Sequence, residues 1–365
     1  MMESHTMHPF AAPDPMGYRS LQEALTVEWS SPSNIALVKY WGKHGNQLPM
    51  NPSVSFTLTH CITRTSIELT PRDPGQPWVL FYLEGQDEPV FNRRVETYLE
   101  TLLPYFPFLE HYRLKIHSFN TFPHSAGIAS SASAMSALSL CLCSIDENLR
   151  KGQPPADPMR KASFLARLGS GSASRSLYPY LAIWGQHSEV EGSSDDYAIP
   201  VTEIDPVFRS FKDAILIVDA GKKAISSSTG HKLMESHPFA DARKNQAMDN
   251  ISRLTGIMRQ GDLMAFTELV EEEALTLHGL MMSSRPSYTL LKSGTLDIIQ
   301  IIREFRNDTQ IPLCFTLDAG PNIHLLYPQE NAQKVEALVE QSLRKYCSEG
   351  QVIYDEAGPG PKRWL

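Results

Sequence analysis

The chain contains no run of eighteen or more apolar residues, which argues against a membrane-spanning helix. It also has no excess of basic charge. Its 33 Lys and Arg stand against 41 Asp and Glu, a formal charge of −8, so the global field offers no attraction to nucleic acid or to an anionic membrane. A phosphorylated ligand must therefore be held by a local positive site. Cysteine is scarce: Cys61, Cys141, Cys143, Cys314 and Cys347 are odd in number, form no zinc pattern, and read as buried thiols of a reducing, cytoplasmic compartment. The histidines lack the HExxH spacing, so His231, His237 and His278 read as non-ligands of a metal. Residues 1–20 lack the basic start and continuous apolar run of a secretory signal and read as a flexible leader. No fixed repeat is visible.

What is present is a chain of 365 residues with 42% hydrophobic content, enough for a large core in one two-lobed unit or two fused domains. Residues 24–39 read as a strand, a Ser-Ser-Pro-Ser-Asn turn and a second strand or its end. Residues 54–69 alternate and read as one long strand or two, and 78–85 as another. Residues 93–106 carry helical spacing, and 112–122 alternate until Pro123 ends the strand. A Gly/Ser-rich turn follows, then a helix of at least three turns. A helix at 158–168, a buried strand ending at Gly221, helices near 231–259, 262–278 and 293–307, and a strand at 312–320 come next. An amphipathic helix at 329–347 and a last strand complete the order. This mixture lacks the regular βαβ cadence of a doubly wound fold and indicates an α+β protein with a lobe boundary near 190–206.

Five segments bear chemistry. In 123–134, Gly127 and the small Ser130, Ser131 and Ser133 let backbone N–H groups converge on a helix start, which reads as either a phosphate cradle or a tightly packed helix N-terminus. The segment follows neither the GxxxxGK[ST] loop nor the GxGxxG fingerprint. In 33–55, Lys39 and Lys43 bracket Tyr40 and Trp41 before a Gly-containing loop, where a lysine can meet carboxylate or phosphate. Arg175 is the sole basic side chain of GSGSASRS, either a structural arginine or a planar fork for a ligand anion. Asp318 closes an apolar strand before Ala-Gly-Pro, as a turn residue or as a carboxylate projected into a cleft, and Asn322 either fixes that loop or touches a ligand. Lys222, Lys223 and the hydroxyls of Ser226 to Thr229 follow a buried strand, forming a solvated loop or a phosphate contact.

Taken together, NIALVKYWGK, PHSAGIASSASA, GSGSASRS, SSSTG, MMSSRPSY and DAGPN, in that order and over about nine-tenths of the chain, resemble the diphosphomevalonate decarboxylase family of the GHMP kinase superfamily. The resemblance implies a two-lobed α+β fold, with a ribosomal protein S5 domain 2-like N-terminal lobe at 21–203 carrying the phosphate loop and a ferredoxin-like C-terminal lobe at 204–365. It implies an ATP- and Mg²⁺-dependent carboxy-lyase of isoprenoid biosynthesis. Such an enzyme phosphorylates the 3-hydroxyl of (R)-5-diphosphomevalonate and then loses carbon dioxide and phosphate to give isopentenyl diphosphate. Carried over residue by residue, it implies Asp318 at the tertiary hydroxyl, Lys43 beside Asp318 and the reacting phosphoryl group, and Arg175 on the C1 carboxylate. It further implies Asn34, Tyr40 and Ser172 along the substrate, with Ser226 and Ser227 as further substrate contacts. The nucleotide phosphates fall to Pro123, His124, Ser125, Ala126, Gly127, Ile128, Ala129, Ser130, Ser131 and Ser133, with Ser131 also a metal contributor. A cytoplasmic homodimer without nucleic-acid or membrane partners completes the expectation.

The chain departs from the commonest family form in a short loop after KYWGK, where Pro52 fills one position, and in PHSAG where PTAAG is commoner. Three rivals stand beside this reading. A mevalonate or phosphomevalonate kinase keeps only the first half of the reaction, a related decarboxylase takes a monophosphorylated mevalonate, and a non-catalytic phosphate-binding regulator does not require the Asp and Lys that are present.

Overall fold

Burial along the first long strand changes halfway, and the change shows how the molecule is layered. The computed structural model describes residues 9–11, 18–123, 128–150, 157–221, 225 and 227–365. Strand β1 (Leu25–Val38) is only intermittently buried at its start and buried on both faces from Ser30 onward. A strand alternating in burial has one wet face, whereas one buried throughout is covered on both sides. The Ser-Ser-Pro-Ser-Asn stretch does not turn the chain. The ladder runs on through it with a register shift between Pro32 and Asn34, a bulge that accommodates a proline with no N–H to donate.

Gly42 turns the chain into a small hairpin of β2 (Lys43–His44) and β3 (Leu48–Pro49), which leads to β4 (Ser53–Pro71), a single strand of 19 residues. Its first part pairs with a later strand and its second part alternates in burial. β5 (Val79–Leu83) and β6 (Gln86–Asp87) precede helix α1 (Pro89–Thr101), and β7 (Tyr112–Asn120) follows. Helix α2 (Ser130–Leu149) lays Leu138, Cys141, Leu142, Ile145 and Leu149 on the sheet residues Val27, Ile67, Leu69, Leu114 and Ile116, with α3 (Pro158–Gly169) alongside. β8 (Leu181–Trp184) and β9 (Ala198–Pro200) complete the first lobe, and the resulting order is β1-β4-β7-β5-β6 with β8 and β9 attached through β4.

The second lobe is built on β10 (Lys212–Leu216), which precedes helices α4 (Ser227–Lys232), α5 (Ala240–Gln260), α6 (Leu263–Ser283) and α7 (Ser293–Thr309). β11 (Cys314–Thr316) and β12 (Ile323–Tyr327) follow, then the short helix α8 (Ala332–Leu338) and β13 (Val352–Glu356), giving a four-stranded antiparallel sheet ordered β11-β12-β10-β13. Period-two alternation divides its residues between two cores. Ala214, Leu216, Ile323 and Leu325 join Ile298 and Ile302 of α7, while Ile215 and Leu326 face Ile251, Leu254 and Phe266. The latter core also contains Val54, Phe56, Leu181 and Ile183, so the two lobes share continuous apolar packing.

Two elements differ from the pattern of the sequence. The expected helix at 329–347 is broken into a 3₁₀ turn, α8, a π-helical turn at Val339–Leu343 and further 3₁₀ turns. The chain end returns to the first lobe, where β14 (Lys362–Arg363) pairs with Trp29 and Ser30 of β1. Trp364 lies over this edge between the Arg64 and Lys362 cations, its indole N–H donating to Ser30 Oγ at 3.0 Å.

Candidate active site

The apolar end of β1 delivers a buried cation. Ala36, Leu37 and Val38 are core residues, and Lys39, next in line, is 1% exposed. An ammonium in such a place must be paired and hydrogen-bonded. Its Nζ donates to the Ala36 carbonyl at 2.7 Å and to Asp318 Oδ1 at 3.0 Å. Burial pushes the pKa of the Lys39 ammonium below the ordinary lysine value, and Asp318 opposes that shift. The main chain of Lys39 is fixed as well. Its amide donates to Glu273 Oε2 at 2.9 Å, and its carbonyl accepts from Arg243 Nη2 and Asn51 Nδ2, each at 2.9 Å.

Asp318 lies two residues past β11, where the strand meets Ala-Gly-Pro, with its side chain 29% exposed. The His278 ring on α6 donates from Nε2 to the Asp318 carbonyl at 3.2 Å. Burial, aided by nearby Lys39, lowers the His278 pKa to about 4, so the imidazole is neutral and serves as a hydrogen-bond donor. Asn322 fixes the loop: Oδ1 accepts from the Asp219 amide at 2.9 Å and Nδ2 donates to the Asp219 carbonyl at 3.1 Å.

Arg175 sits in the 3₁₀ segment Gly171–Leu177 and is 2% exposed. Nε donates to Ser55 Oγ at 2.9 Å, Nη1 to Ser53 Oγ at 2.6 Å and Nη2 to Asn34 Oδ1 at 3.4 Å. Among the described residues no carboxylate pairs with it at ion-pair distance; burial lowers its pKa to about 10, with Asp318 the chief opposing charge. A buried guanidinium held by hydroxyls and an amide is a site prepared for an anion from outside the protein. Lys39, Arg175 and Asp318 together give this wall a net positive charge in a protein that is negative overall.

The N-terminus of α2 forms another part of the wall. Ala129, its N-cap residue, is left-handed at φ 43°, an unusual conformation for a residue with a Cβ, and among the described residues no side chain caps the helix. The first N–H groups of an uncapped helix carry partial positive charge and suit an anion. Ser131 Oγ lies 3.4 Å from Ser170 Oγ at the same place.

These parts share one cavity of about 650 Å³, lined by Lys39, Tyr40, Lys43, Ala129, Ser131, Ser172, Arg175, Ser227 and Asp318 among others. The Tyr40 hydroxyl is buried without a hydrogen-bond partner among the described residues, and burial pushes its pKa well up, so it stays protonated and able to donate. Lys43 requires correction: the lysine beside Asp318 is Lys39. Gly42 diverts the chain, and Lys43 Nζ instead bonds Gln47 Oε1 at 3.0 Å on the cavity wall.

Asn34 is not a lining residue. It is 3% exposed behind the wall, where Nδ2 donates to the Ser172 carbonyl at 3.1 Å and Ser176 Oγ at 2.7 Å, leaving Oδ1 for Arg175. Pro123, Ile128, Ser130 and Ser133 are likewise absent from the lining. Ile128 is core, and the Ser133 hydroxyl is taken up by Thr63 Oγ1 at 2.6 Å and the Ser130 carbonyl at 3.1 Å. His124, Ser125, Ala126, Gly127, Lys222, Lys223 and Ser226 lie outside the described residues. Sequence reasoning missed Lys39 as the partner of Asp318, the supporting Arg243, Glu273 and His278, and the α1 residues Arg93 and Arg94 that line the cavity. The run of apolar residues leading straight into Lys39 was the one available signal.

No described cluster of three or more His, Cys, Asp or Glu residues could hold a metal ion. Mg²⁺ binds mainly through phosphates and water with few protein oxygens, and the Ser131 hydroxyl lines the cavity at the start of α2. Among the described residues no helix is long and apolar enough to cross a membrane.

Residues 31–198 match the model of the diphosphomevalonate decarboxylase-like N-terminal domain, and 214–360 match that of the mevalonate 5-diphosphate decarboxylase C-terminal domain. Diphosphomevalonate decarboxylase of Eremothecium gossypii is 30% identical over 325 residues, covering 84% of this chain and 78% of its own. The solved mevalonate diphosphate decarboxylase of Staphylococcus aureus superposes with a TM-score of 0.80 at 27% identity, over 94% of this chain and 99% of that one. A solved chain named MDDEF, in complex with MVAPP, AMPPCP and magnesium, superposes at 0.78 with 28% identity over 94% and 99%. The two-domain α+β architecture is that of the GHMP kinases, and the chain belongs to the diphosphomevalonate decarboxylase family.

Proposed function

We infer that this protein catalyses the ATP-dependent decarboxylation of 5-diphosphomevalonate to isopentenyl diphosphate, with ADP, phosphate and carbon dioxide as co-products. The observation that carries the reading is the Lys39–Asp318 pair at 3.0 Å beside an Arg175 that has no carboxylate at ion-pair distance among the described residues, on one cavity with the N-terminus of α2. The bound MVAPP, AMPPCP and magnesium of MDDEF support the same substrates and metal here.

In this reading the guanidinium of Arg175 takes the substrate carboxylate and holds the 3-hydroxyl at Asp318. The Asp318 carboxylate orients that hydroxyl and accepts its proton as the oxygen attacks the terminal phosphorus of ATP. Lys39 holds Asp318 in line and offsets the negative charge that gathers there. The α2 N–H groups and Ser131 hold the nucleotide phosphates, and Mg²⁺ when bound neutralises part of their charge. The 3-phosphate then departs with the C3–O bonding pair while the C1–C2 bonding electrons form the C2=C3 double bond and C1 leaves as carbon dioxide. Phosphate is a far better leaving group than hydroxide, which is why phosphorylation comes first.

The family resemblance supports a homodimer, the free thiols support cytoplasmic residence, and the gap between the two matched domains supports a lobe boundary at 203–204. The enzymatic reading is tested by ADP release in a coupled assay with 5-diphosphomevalonate, 5-phosphomevalonate and mevalonate in parallel. Turnover dependent on the diphosphate is expected. Preferred turnover of mevalonate or its monophosphate overturns the reading in favour of a kinase or a monophosphate decarboxylase.

A further inference from the structure

The segment after the second-lobe strand β10 supplies a side chain that the sequence set aside. Gly230 lies against Trp41, where a Cβ would come within 2.5 Å of the indole, so only glycine allows α4 to approach so closely. The next residue, His231, is thereby inserted between Tyr40 and Trp41, with ring centroids 4.3 and 4.7 Å away. Flanked by two aromatic rings, the imidazole is held in one orientation.

The Gly42 amide donates to His231 Nδ1 at 2.9 Å. A nitrogen that accepts a hydrogen bond carries no proton, so the neutral ring must carry its proton on Nε2. Burial, with a contribution from Lys43, lowers the His231 pKa to about 3, so the ring is neutral across the physiological range. Its Nε2–H has no hydrogen-bond partner among the described residues, although the side chain is 8% exposed and lines the cavity. Lys43 and Lys232 are close enough to repel each other, and among the described residues neither has a carboxylate partner. This end of the cleft therefore offers the Lys43 cation, with Lys232 near it, and one neutral, rigid donor. That is the chemistry of a site for a polyanion with more oxygens than a lysine alone can satisfy.

We propose that His231 is a specificity-determining residue whose Nε2–H donates a hydrogen bond to the 5-diphosphate of the substrate and thereby favours a diphosphate over a monophosphate. The proposal rests on the decarboxylase reading above. Arg175 and Asp318 engage the carboxylate and the tertiary hydroxyl, so the phosphorylated end must lie elsewhere in the same cavity; Arg93 and Arg94 of α1 form one further cationic part of the lining, and the Tyr40–His231–Lys43 wall forms another, which alone adds a fixed neutral donor to its cation. A polar group built to bond a substrate oxygen discriminates strongly against an analogue lacking that oxygen, since the donor is then left unpaired.

The test is a pair of variants assayed with 5-diphosphomevalonate and 5-phosphomevalonate. H231L is expected to raise KM for the diphosphate roughly 10-fold, more than it lowers kcat, and to cut the diphosphate-to-monophosphate preference by a similar factor. H231Q, whose amide N–H reaches the position of Nε2–H, is expected to retain most of that preference. KM for ATP should not move in either variant. An unchanged preference in H231L, a Gln variant no better than Leu, or a loss confined to KM for ATP overturns the assignment. A measurement on the unmodified enzyme guards against misfolded variants. With ¹⁵N-labelled histidine, the Nε2–H resonance of one buried ring should shift on adding 5-diphosphomevalonate and shift less with the monophosphate; equal responses overturn the proposal. Failure of the decarboxylase reading is distinguishable, because it appears as absent alkene product in the wild type.

Discussion

Glu273 and Lys39 meet through the main chain: the carboxylate on α6 accepts the Lys39 amide at 2.9 Å and simultaneously holds Arg243 at 2.7 and 2.8 Å and Asn250 at 2.7 Å. Arg243 in turn donates to the Lys39 carbonyl, so the residue is gripped on both sides of its peptide unit. The grip belongs to the second lobe while Lys39 follows the long strand of the first, and the position of its ammonium therefore depends on how the lobes are packed.

The first prediction concerns that grip. E273Q keeps an acceptor for the amide but leaves Arg243, 3% exposed, without its countercharge. Removing one member of a buried ion pair costs about 3–5 kcal/mol. Urea unfolding of E273Q should show a loss of that order, and kcat should fall with it because the Arg243 that holds the Lys39 carbonyl loses its anchoring charge. A midpoint equal to wild type contradicts the account of Lys39 placement.

For Asp318, the expectation is kinetic. D318N should bind nucleotide nearly as wild type does yet lose roughly 10²- to 10⁴-fold in kcat, the usual contribution of a positioned acid or base. K39M should lose a comparable factor, and the double variant little more than either alone, because the two act as one unit. Additive losses contradict that pairing.

Arg175 holds Ser53, Ser55 and Asn34 with three different nitrogens, which a lysine cannot reproduce. R175K should lose roughly 10- to 100-fold in kcat/KM, as expected for a lost charge-assisted bond of about 1.5–3 kcal/mol. Unchanged steady-state constants for the acid substrate remove Arg175 from the site.

Acid stability offers an independent check on His278. Its folded pKa of about 4 lies below the ordinary histidine value of 6.5, so below pH 6.5 the unfolded chain binds a proton that the folded one does not. Stability from this group is thus complete above 6.5 and is lost as pH falls toward about 4. Between about pH 7.5 and about pH 5 the wild type should lose roughly 2 kcal/mol more than H278L. Parallel curves for the two proteins contradict a buried neutral imidazole.

The sequence made Asp318 and Arg175 visible because each is a lone charge attached to apolar or small residues, and the helix start at Ser130 was visible as small residues before a helical run. The choice between Lys39 and Lys43 was not visible. The two sit four apart around one turn, and the carboxylate that distinguishes them is 279 residues away from Lys39. The strand parity of β1 was masked by Pro32, which looks like a turn until the bulge absorbs it. The resemblance implied Asn34 along the substrate, whereas its side chain lies behind the wall, where it holds Arg175 and the Ser172 carbonyl. Glu273, Arg243 and His278 were hidden for a different reason: they lie on long helices whose pattern reports burial but not which charge is buried against which.

The central claim is that the 3-hydroxyl of the substrate is phosphorylated in this cleft and leaves as phosphate. The most direct test uses 5-diphosphomevalonate carrying ¹⁸O in that hydroxyl, with Mg-ATP and wild-type enzyme, followed by mass spectrometry of the released phosphate and of the organic product. The account predicts one ¹⁸O in each inorganic phosphate formed, together with isopentenyl diphosphate and stoichiometric ADP. Label retained in an accumulating phosphorylated acid, or released into water, contradicts it.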